Sequence, residues 1–285
     1  MLHEYVTSVD DDMRRAGHVT YGVADRWHLG QAVYPLLYPR GRRLLTNSER
    51  LWIEMALYAR GAFMIGAMDD PHRIKQRIEE DTDSYLRPEH AEQCHFLFDR
   101  LFKDSLLDVI SYNESEEFNI EELSIMAGYG EQRTRYLSDD LVIGNPFNPA
   151  LMLVGDQVND EDASEFKLPF APVAGSSGDF LMDAIYRNWP REGLKHVLIV
   201  NSRRPDGTHE DLVRINRLAG SPPIVALGRK AQQVLERQAL VHGVVPHPQW
   251  VRRFRYHDKN RYAQSIGQAS EMGIDTFMDW KGAPE

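Results

Sequence analysis

The sequence predicts an α/β fold: a three-layer α/β/α sandwich with a short parallel sheet, preceded by a mostly helical domain. Three observations lead there. Leu151-Met152-Leu153-Val154 is a run of large apolar residues without polar alternation, the pattern of a strand buried on both faces. Similar short runs recur at 197–200, 224–227 and 243–245. Between them lie helix-patterned segments at 179–188, 209–219 and 229–239, and strands alternating with helices give a parallel sheet through right-handed crossovers.

Composition sets the bounds. The 285 residues suffice for one large domain or two modest ones, with 42% hydrophobic and 27% charged residues, as in an ordinary globular protein. The net charge of −10 lies wholly in the first half. Residues 1–150 hold 16 Lys and Arg against 26 Asp and Glu, whereas residues 151–285 hold 17 of each. The net charge of −10 argues mildly against bulk nucleic-acid affinity but leaves room for a local basic patch, and the second half contains one. It also makes the acidic half a candidate surface for a protein partner. The single cysteine, Cys94, excludes a disulfide framework or a cysteine-built metal site within one chain and fits a reducing compartment. The opening residues lack the layout of a signal peptide, and no apolar run approaches the ~20 residues of a membrane span. A cytoplasmic protein without a metal or other cofactor is expected, with no membrane partner.

The boundary between the two domains is expected near residue 138. In the first part, Asp10-Asp11-Asp12 is a plausible helix start, and Tyr34-Pro35 through Pro39-Arg40-Gly41 reads as a loop. Arg40, Arg42 and Arg43 form a small basic cluster, either a solvated surface or a phosphate contact. Ser48 is the expected N-cap of a helix carrying Leu51, Met55, Tyr58 and Ala62 on one stripe, running as far as about Met68. Pro71 begins a polar helix, and Pro88 opens a third in which Cys94, Leu97, Leu101 and Leu106 lie close to one stripe. Cys94 is therefore expected to be a packed thiol. The five glutamates between positions 114 and 122 read as a solvated connection, and residues 139–146 as a lead-in to the sheet.

The chemistry gathers where the apolar runs stop. Gly155 permits a sharp turn after the first strand, leaving Asp156 and Gln157 just beyond its carboxyl end, where open α/β sheets place ligands. The second strand ends at Asn201, and the last leads into Pro246-His247-Pro248-Gln249. A carboxylate, a carboxamide and an imidazole are thus expected at one edge of the sheet. Each alone is an ordinary turn or capping residue; their joint placement is the signal.

Taken in series, these segments resemble the uracil-DNA glycosylase superfamily, over about residues 140–270. Val154-Gly155-Asp156-Gln157 looks like its Gly-Glu opening motif, with an acidic side chain one methylene shorter. Leu168-Pro169-Phe170 with the Gly175–Leu181 stretch is similar to its Pro-Phe segment and the glycine-started helix that follows. The strand ending in Asn201, the segment Ile224–Gly228 and Pro246-His247-Pro248-Gln249 match the remaining motifs in order. The first half shows no comparable resemblance.

The resemblance implies a monofunctional DNA glycosylase that hydrolyses the N-glycosidic bond of a flipped uracil-like or modified pyrimidine base, in single- or double-stranded DNA. Phe170 would stack on the base, Asn201 and Gln157 would read it, and His247 would donate to the base oxygen as negative charge develops. Asp156 would orient water and stabilise the cationic sugar. Gly175, Ser176 and Ser177 would hold a phosphate. The basic, aromatic-interleaved stretch 250–261 would line the strand, with Gln249, Trp250, Val251, Arg252 and Arg253 against DNA and Trp250 or Val251 as the wedge. The acidic residues Asp160, Glu161, Asp162 and Glu165 would face solvent or a cationic group on a modified base. Two other readings remain open on the same fold: a non-catalytic base- or nucleotide-binding module, and an enzyme of modified-base metabolism such as that of hypermodified viral DNA.

Overall fold

The computed structural model describes residues 27–38, 44–81, 86–113, 142–157, 168–204, 206–255 and 257–273. The expectations placed on Asp10–Asp12, Arg40, Arg42, Arg43, the glutamates of 114–122 and the acidic stretch 160–165 lie outside them.

A five-stranded sheet organises the C-terminal half. Its strands are β3 (Val142–Gly144), β4 (Leu151–Gly155), β5 (Val197–Asn201), β6 (Ile224–Leu227) and β7 (Gly243–Val245). Their order across the sheet is β3-β5-β4-β6-β7, with β3 antiparallel to β5 and every other pair parallel. The chain leaves β4 toward one side and returns to β6 on the other, so the ends of β4 and β6 form the switch point where such sheets hold ligands.

Alternate residues of each strand face opposite ways, which makes three layers. Leu153, Ile199, Val225 and Val245 point to one face, packed by α2 (Asn47–Ala59), α5 (Ser177–Asn188) and α10 (Lys259–Met272). Met152, Val154, Leu198, Val200 and Ala226 point to the other, packed by α7 (Leu212–Leu218) and α8 (Arg229–Arg237). The strand runs are apolar throughout because neither face meets water. The short α6 (Arg191–Leu194) precedes β5, and α9 (Pro248–Phe254) follows β7.

The N-terminal half has helices, α1 (Trp27–Leu37), α2, α3 (Pro71–Glu80) and α4 (Ala91–Lys103), together with a two-stranded parallel pair, β1 (Met64–Met68) and β2 (Val109–Asn113). Three local expectations are corrected. Helix α2 is capped by Thr46, not Ser48: Glu49 N–H donates to Thr46 Oγ1 at 3.2 Å and Thr46 N–H donates to Glu49 Oε2 at 2.8 Å, a reciprocal box. The same helix stops at Ala59 rather than Met68, because Gly61 turns left-handed (φ 75°) and Met64–Met68 pairs with a strand more than forty residues on. Pro35 sits inside α1 instead of opening a loop; in the last turn it removes one bond to the carbonyl four residues back, and the helix ends two residues later. Cys94 is buried with Val33 and Leu37, as its stripe predicts.

Helix α2 belongs to the α/β core although it precedes the expected boundary at 138. Leu51, Trp52, Ile53 and Met55 are all 2% exposed or less and join the cluster that covers β4 and β5. Buried Arg50 pairs with Glu54 at 3.1 Å, and Glu54 Oε2 accepts from Leu106 N–H at 2.7 Å, tying α2 to the turn after α4. No described helix is long and apolar enough to cross a membrane.

Candidate active site

The carboxyl ends of β4, β5 and β7 bring together Asp156, Asn201 and His247. The β4–β5 register sets Gly155 opposite Asn201, and the ladder continues past both strands. Ser202 N–H donates to Gly155 O and Arg203 N–H to Asp156 O, each at 2.9 Å, while the Ser202 hydroxyl also donates to Asp156 O at 3.0 Å. The backbone presenting Asp156 is therefore held from the neighbouring strand.

Phe170 closes over this point. Its backbone is left-handed (φ 51°), a conformation that costs a bulky residue on the order of 1–3 kcal/mol and collects at functional sites. Two contacts hold the segment there. Trp52 Nε1–H donates to Pro169 O at 2.8 Å, and the Ser176 hydroxyl donates to Ala171 O at 3.1 Å. The half-buried ring of Phe170 tilts at 34° toward the His247 imidazole, with centroids 6.3 Å apart.

Gly155 is where the three meet. A Cβ there would lie 2.5 Å from Asn201 Oδ1 and 2.6 Å from Phe170 Cε2, closer than packed atoms tolerate. Gly155→Ala is expected to destabilise the fold by about 1–3 kcal/mol through overpacking and to displace both side chains. Chemical denaturation checks this, and a change below about 0.5 kcal/mol would mean that the contact relaxes freely. Asn201 is 5% exposed, and its carboxamide makes no hydrogen bond within the described structure, so donor and acceptor are both available to a ligand.

His247 is fixed from three directions. Tyr262, wholly buried, donates its hydroxyl to Pro246 O at 2.9 Å and thereby anchors the preceding residue. Gly228 approaches from β6 at φ 101°, so closely that a Cβ on it would lie 2.8 Å from His247 Cβ. Finally, Gln249 N–H donates to His247 Nδ1 at 3.2 Å as the residue caps α9, where Pro248 has no N–H of its own to offer. Loss of solvation lowers the His247 pKa to about 4, against an opposing pull from Asp156 and with help from Lys230. The ring is neutral at pH 7. With Nδ1 accepting, its single proton resides on Nε2, a neutral donor.

Asp156 is gripped by two cations that the sequence did not point to. Its Oδ2 meets Lys230 Nζ at 3.0 Å and its Oδ1 meets Arg203 Nε at 3.6 Å, with the carboxylate side chain only 13% exposed. Oδ1 is enclosed and neither it nor Arg203 Nε makes a hydrogen bond, whereas Oδ2 carries the pair with the largely exposed Lys230. Arg203 sits on the loop after β5, pinned by the Arg203–His209 bridge and by Arg204, which pairs with buried Glu210 at 2.9 Å. Lys230 stands in the first turn of α8. Both arrive by tertiary folding, from a loop and a helix start distant in sequence from Asp156.

The remaining expected contacts divide. Gln157 is exposed just past β4, and Ser177 is half-buried at the start of α5. The phosphate cradle expected of Gly175 and Ser176 is corrected: Gly175 N–H donates to Asp179 Oδ2 at 3.1 Å and Ser176 N–H to Val173 O at 2.8 Å, so both donors are engaged internally. What that turn does offer is Arg252, whose Nη2 would lie 2.9 Å from a Cβ on Gly175. Gln249 and Trp250 are half-buried and Arg253 is exposed. Val251 is corrected as a wedge, since its side chain is 0% exposed within the core. The exposed apolar residue of α9 is Phe254, 64% exposed and stacked at a tilt on Trp250 with centroids 5.4 Å apart. Its signal was an aromatic set among arginines. Among the described residues no group of three His, Cys, Asp or Glu side chains is arranged to hold a metal ion.

A neutral Nε2–H donor, an unsatisfied carboxamide, an aromatic face and a carboxylate thus gather at the carboxyl edge of the sheet. That set suits an uncharged, planar, oxygen-bearing heterocycle whose departure leaves positive charge behind. No curated protein matches the chain. Residues 141–268 match the family model for the uracil DNA glycosylase superfamily.

Proposed function

We propose, from the premise that residues 141–268 belong to the uracil DNA glycosylase superfamily, that this protein is a DNA glycosylase acting on a flipped uracil-like or modified pyrimidine base. The observation that carries the reading is His247: a neutral imidazole whose tautomer is set by Gln249 N–H, leaving Nε2–H to meet a developing oxyanion. A preorganised donor of this kind need not reorganise as charge forms.

In this reading the base enters with one face on Phe170 and its hydrogen-bonding edge on Asn201, while Gln157 lies at the mouth. His247 Nε2–H donates to the base oxygen that gains charge as the glycosidic bond stretches. Asp156, through Oδ2, faces the electron-poor sugar carbon and holds the attacking water. Phe254, beside Trp250, is placed to fill the gap left by the flipped nucleotide.

The test is abasic-site formation in end-labelled oligonucleotides, single- and double-stranded, each carrying one candidate base: uracil, hydroxymethyluracil or a larger 5-substituted pyrimidine. Release of one of them at single-turnover rates far above background supports the reading. Tight binding to all of them with no release would assign the cleft to base sensing instead.

The strand surface gives a separate expectation. Arg252 and Arg253 replaced together by Ala should weaken binding across sequences and reduce the slope of log K against log salt by about 2, because two fewer counterions are released. Fluorescence anisotropy over a salt series checks this, and an unchanged slope would place both arginines away from the backbone.

A further inference from the structure

We propose that Lys230 is a second catalytic residue, forming an imine with the abasic sugar and cleaving the strand after the base has left. The inference rests on the glycosylase reading above and replaces the expectation of a monofunctional enzyme. It starts from a misfit. Glycosidic cleavage builds positive charge on the sugar, yet the carboxylate meant to stabilise it already carries a cation, Lys230 Nζ at 3.0 Å from Oδ2. An ion pair this open to water, with the lysine side chain 70% exposed, adds little to stability. For the first chemical step Lys230 is therefore a charge of the wrong sign that does not hold the fold together.

Its position suits the step that follows. Whatever sugar carbon faces Asp156 Oδ2 also lies near Lys230 Nζ, because the two atoms are an ion pair only 3.0 Å apart. The place of Lys230 is built in: α8 begins immediately after Gly228, whose backbone fits against His247 with no room for a side chain. Arg203, the other cation on Asp156, cannot act as an amine nucleophile but keeps the carboxylate in place when the lysine turns away. Among the described lysines, Lys259 is tied to Asp183 between α10 and α5, and Lys195 lies before β5 at the opposite edge of the sheet. Lys230 is the described lysine that pairs with Asp156.

The chemistry balances with water alone. Hydrolysis of the glycosidic bond leaves a C1′ hemiacetal, which opens to the aldehyde. Lys230 Nζ passes a proton to Asp156 Oδ2 and attacks C1′; the carbonyl oxygen takes up two protons and leaves as water, giving the iminium. The iminium acidifies C2′, whose proton goes to the carboxylate after it has released the first to solvent. The C2′–H electrons form the C2′–C3′ double bond, and the C3′–O bond breaks with departure of the 3′ phosphate. Water then hydrolyses the imine and frees the lysine. No oxidant or reductant takes part.

The experiment presents the full-length protein with a labelled duplex containing a preformed abasic site, made without this enzyme, so that base recognition plays no part. Sodium borohydride reduces an iminium to a stable secondary amine and freezes a protein–DNA adduct. The expected result is a trapped adduct mapped by peptide mass spectrometry to Lys230, strand scission at the 3′ side of the site, and at least a tenfold loss of both in Lys230→Arg, which keeps the charge but forms no imine. Absence of an adduct, an adduct mapped to another amine, or undiminished trapping in Lys230→Arg overturns the proposal. Base release from the oligonucleotide panel is scored separately, so a failed lyase assay with intact base release refutes only this inference. Trapping on the abasic duplex with no base release anywhere would instead refute the glycosylase reading and leave Lys230 standing.

Discussion

Asp156→Asn is expected to slow single-turnover base release by ~10²–10⁴-fold, the range a positioned carboxylate commonly supplies. The substitution keeps shape and hydrogen-bonding reach while removing the charge that faces the sugar. The fold should survive it. Lys230 is largely exposed, and its pair with Asp156 is of the solvent-facing kind that contributes about 0–1 kcal/mol, while an Asn amide oxygen can still face the half-buried Arg203. Affinity for DNA should hold or rise slightly, since a negative charge leaves a surface that must approach phosphates. Rapid-quench kinetics at saturating enzyme, with a melting curve on the same sample, separates the rate effect from unfolding. A loss below about threefold would remove Asp156 from the chemistry and turn attention to Asp160 and Glu161 on the segment that follows β4.

The sheet was legible because its strands are short apolar runs that end abruptly in polar residues, and the predicted boundaries at 151–154, 197–200, 224–227 and 243–245 fall within one residue of β4, β5, β6 and β7. A strand buried on both faces leaves no alternation for a helix pattern to imitate. The same logic placed Asp156, Asn201 and His247 at one edge, since parallel strands all end on the same side. Features created by distant contacts were not legible. Trp52 supports Pro169 across 117 residues, and nothing local marks it as more than a core aromatic. Lys230 and Arg203 reach Asp156 only once β6 and β5 flank β4.

Helical phase explains the misplacement on α9. From Pro248 the inward positions recur at Val251, so the residue that looked like a wedge in sequence is buried, and the exposed apolar side chain falls at Phe254, where the helix ends. Similarly, the cradle expected of Gly175 and Ser176 failed because Asp179, a residue of the same first turn, takes the Gly175 N–H. A glycine-serine helix start resembles an anion site until its own capping carboxylate is considered. The helix read as running to Met68 failed for the opposite reason: Met64–Met68 has no strong strand propensity and becomes a strand only because β2 pairs with it.

His247→Ala is expected to slow single-turnover base release by ~10²–10³-fold, the loss found when an oxyanion donor is removed. The size follows from how the residue is prepared: Nδ1 is committed to Gln249 N–H, Pro246 is held by Tyr262, and the imidazole carries no charge at pH 7. A neutral donor strengthens its bond as the base becomes an anion without first having to lose a proton to it. The pH dependence of stability gives a second readout with a definite sign. The folded-state pKa near 4 lies below the ordinary 6.5, so above pH 6.5 both folded and unfolded chains hold the ring neutral. As pH falls from 6.5 toward 4 the unfolded chain binds a proton that the folded one refuses, and stability is lost across that window. His247→Ala should therefore flatten the acid side of the stability curve between pH 6.5 and 4 as well as slow the chemistry. Urea denaturation at pH 7, 6, 5 and 4.5 measures the first effect and rapid-quench kinetics the second. An unchanged cleavage rate with a flattened stability curve would make His247 a buried cap of α9 and nothing more, whereas both effects together place its Nε2–H on the departing base.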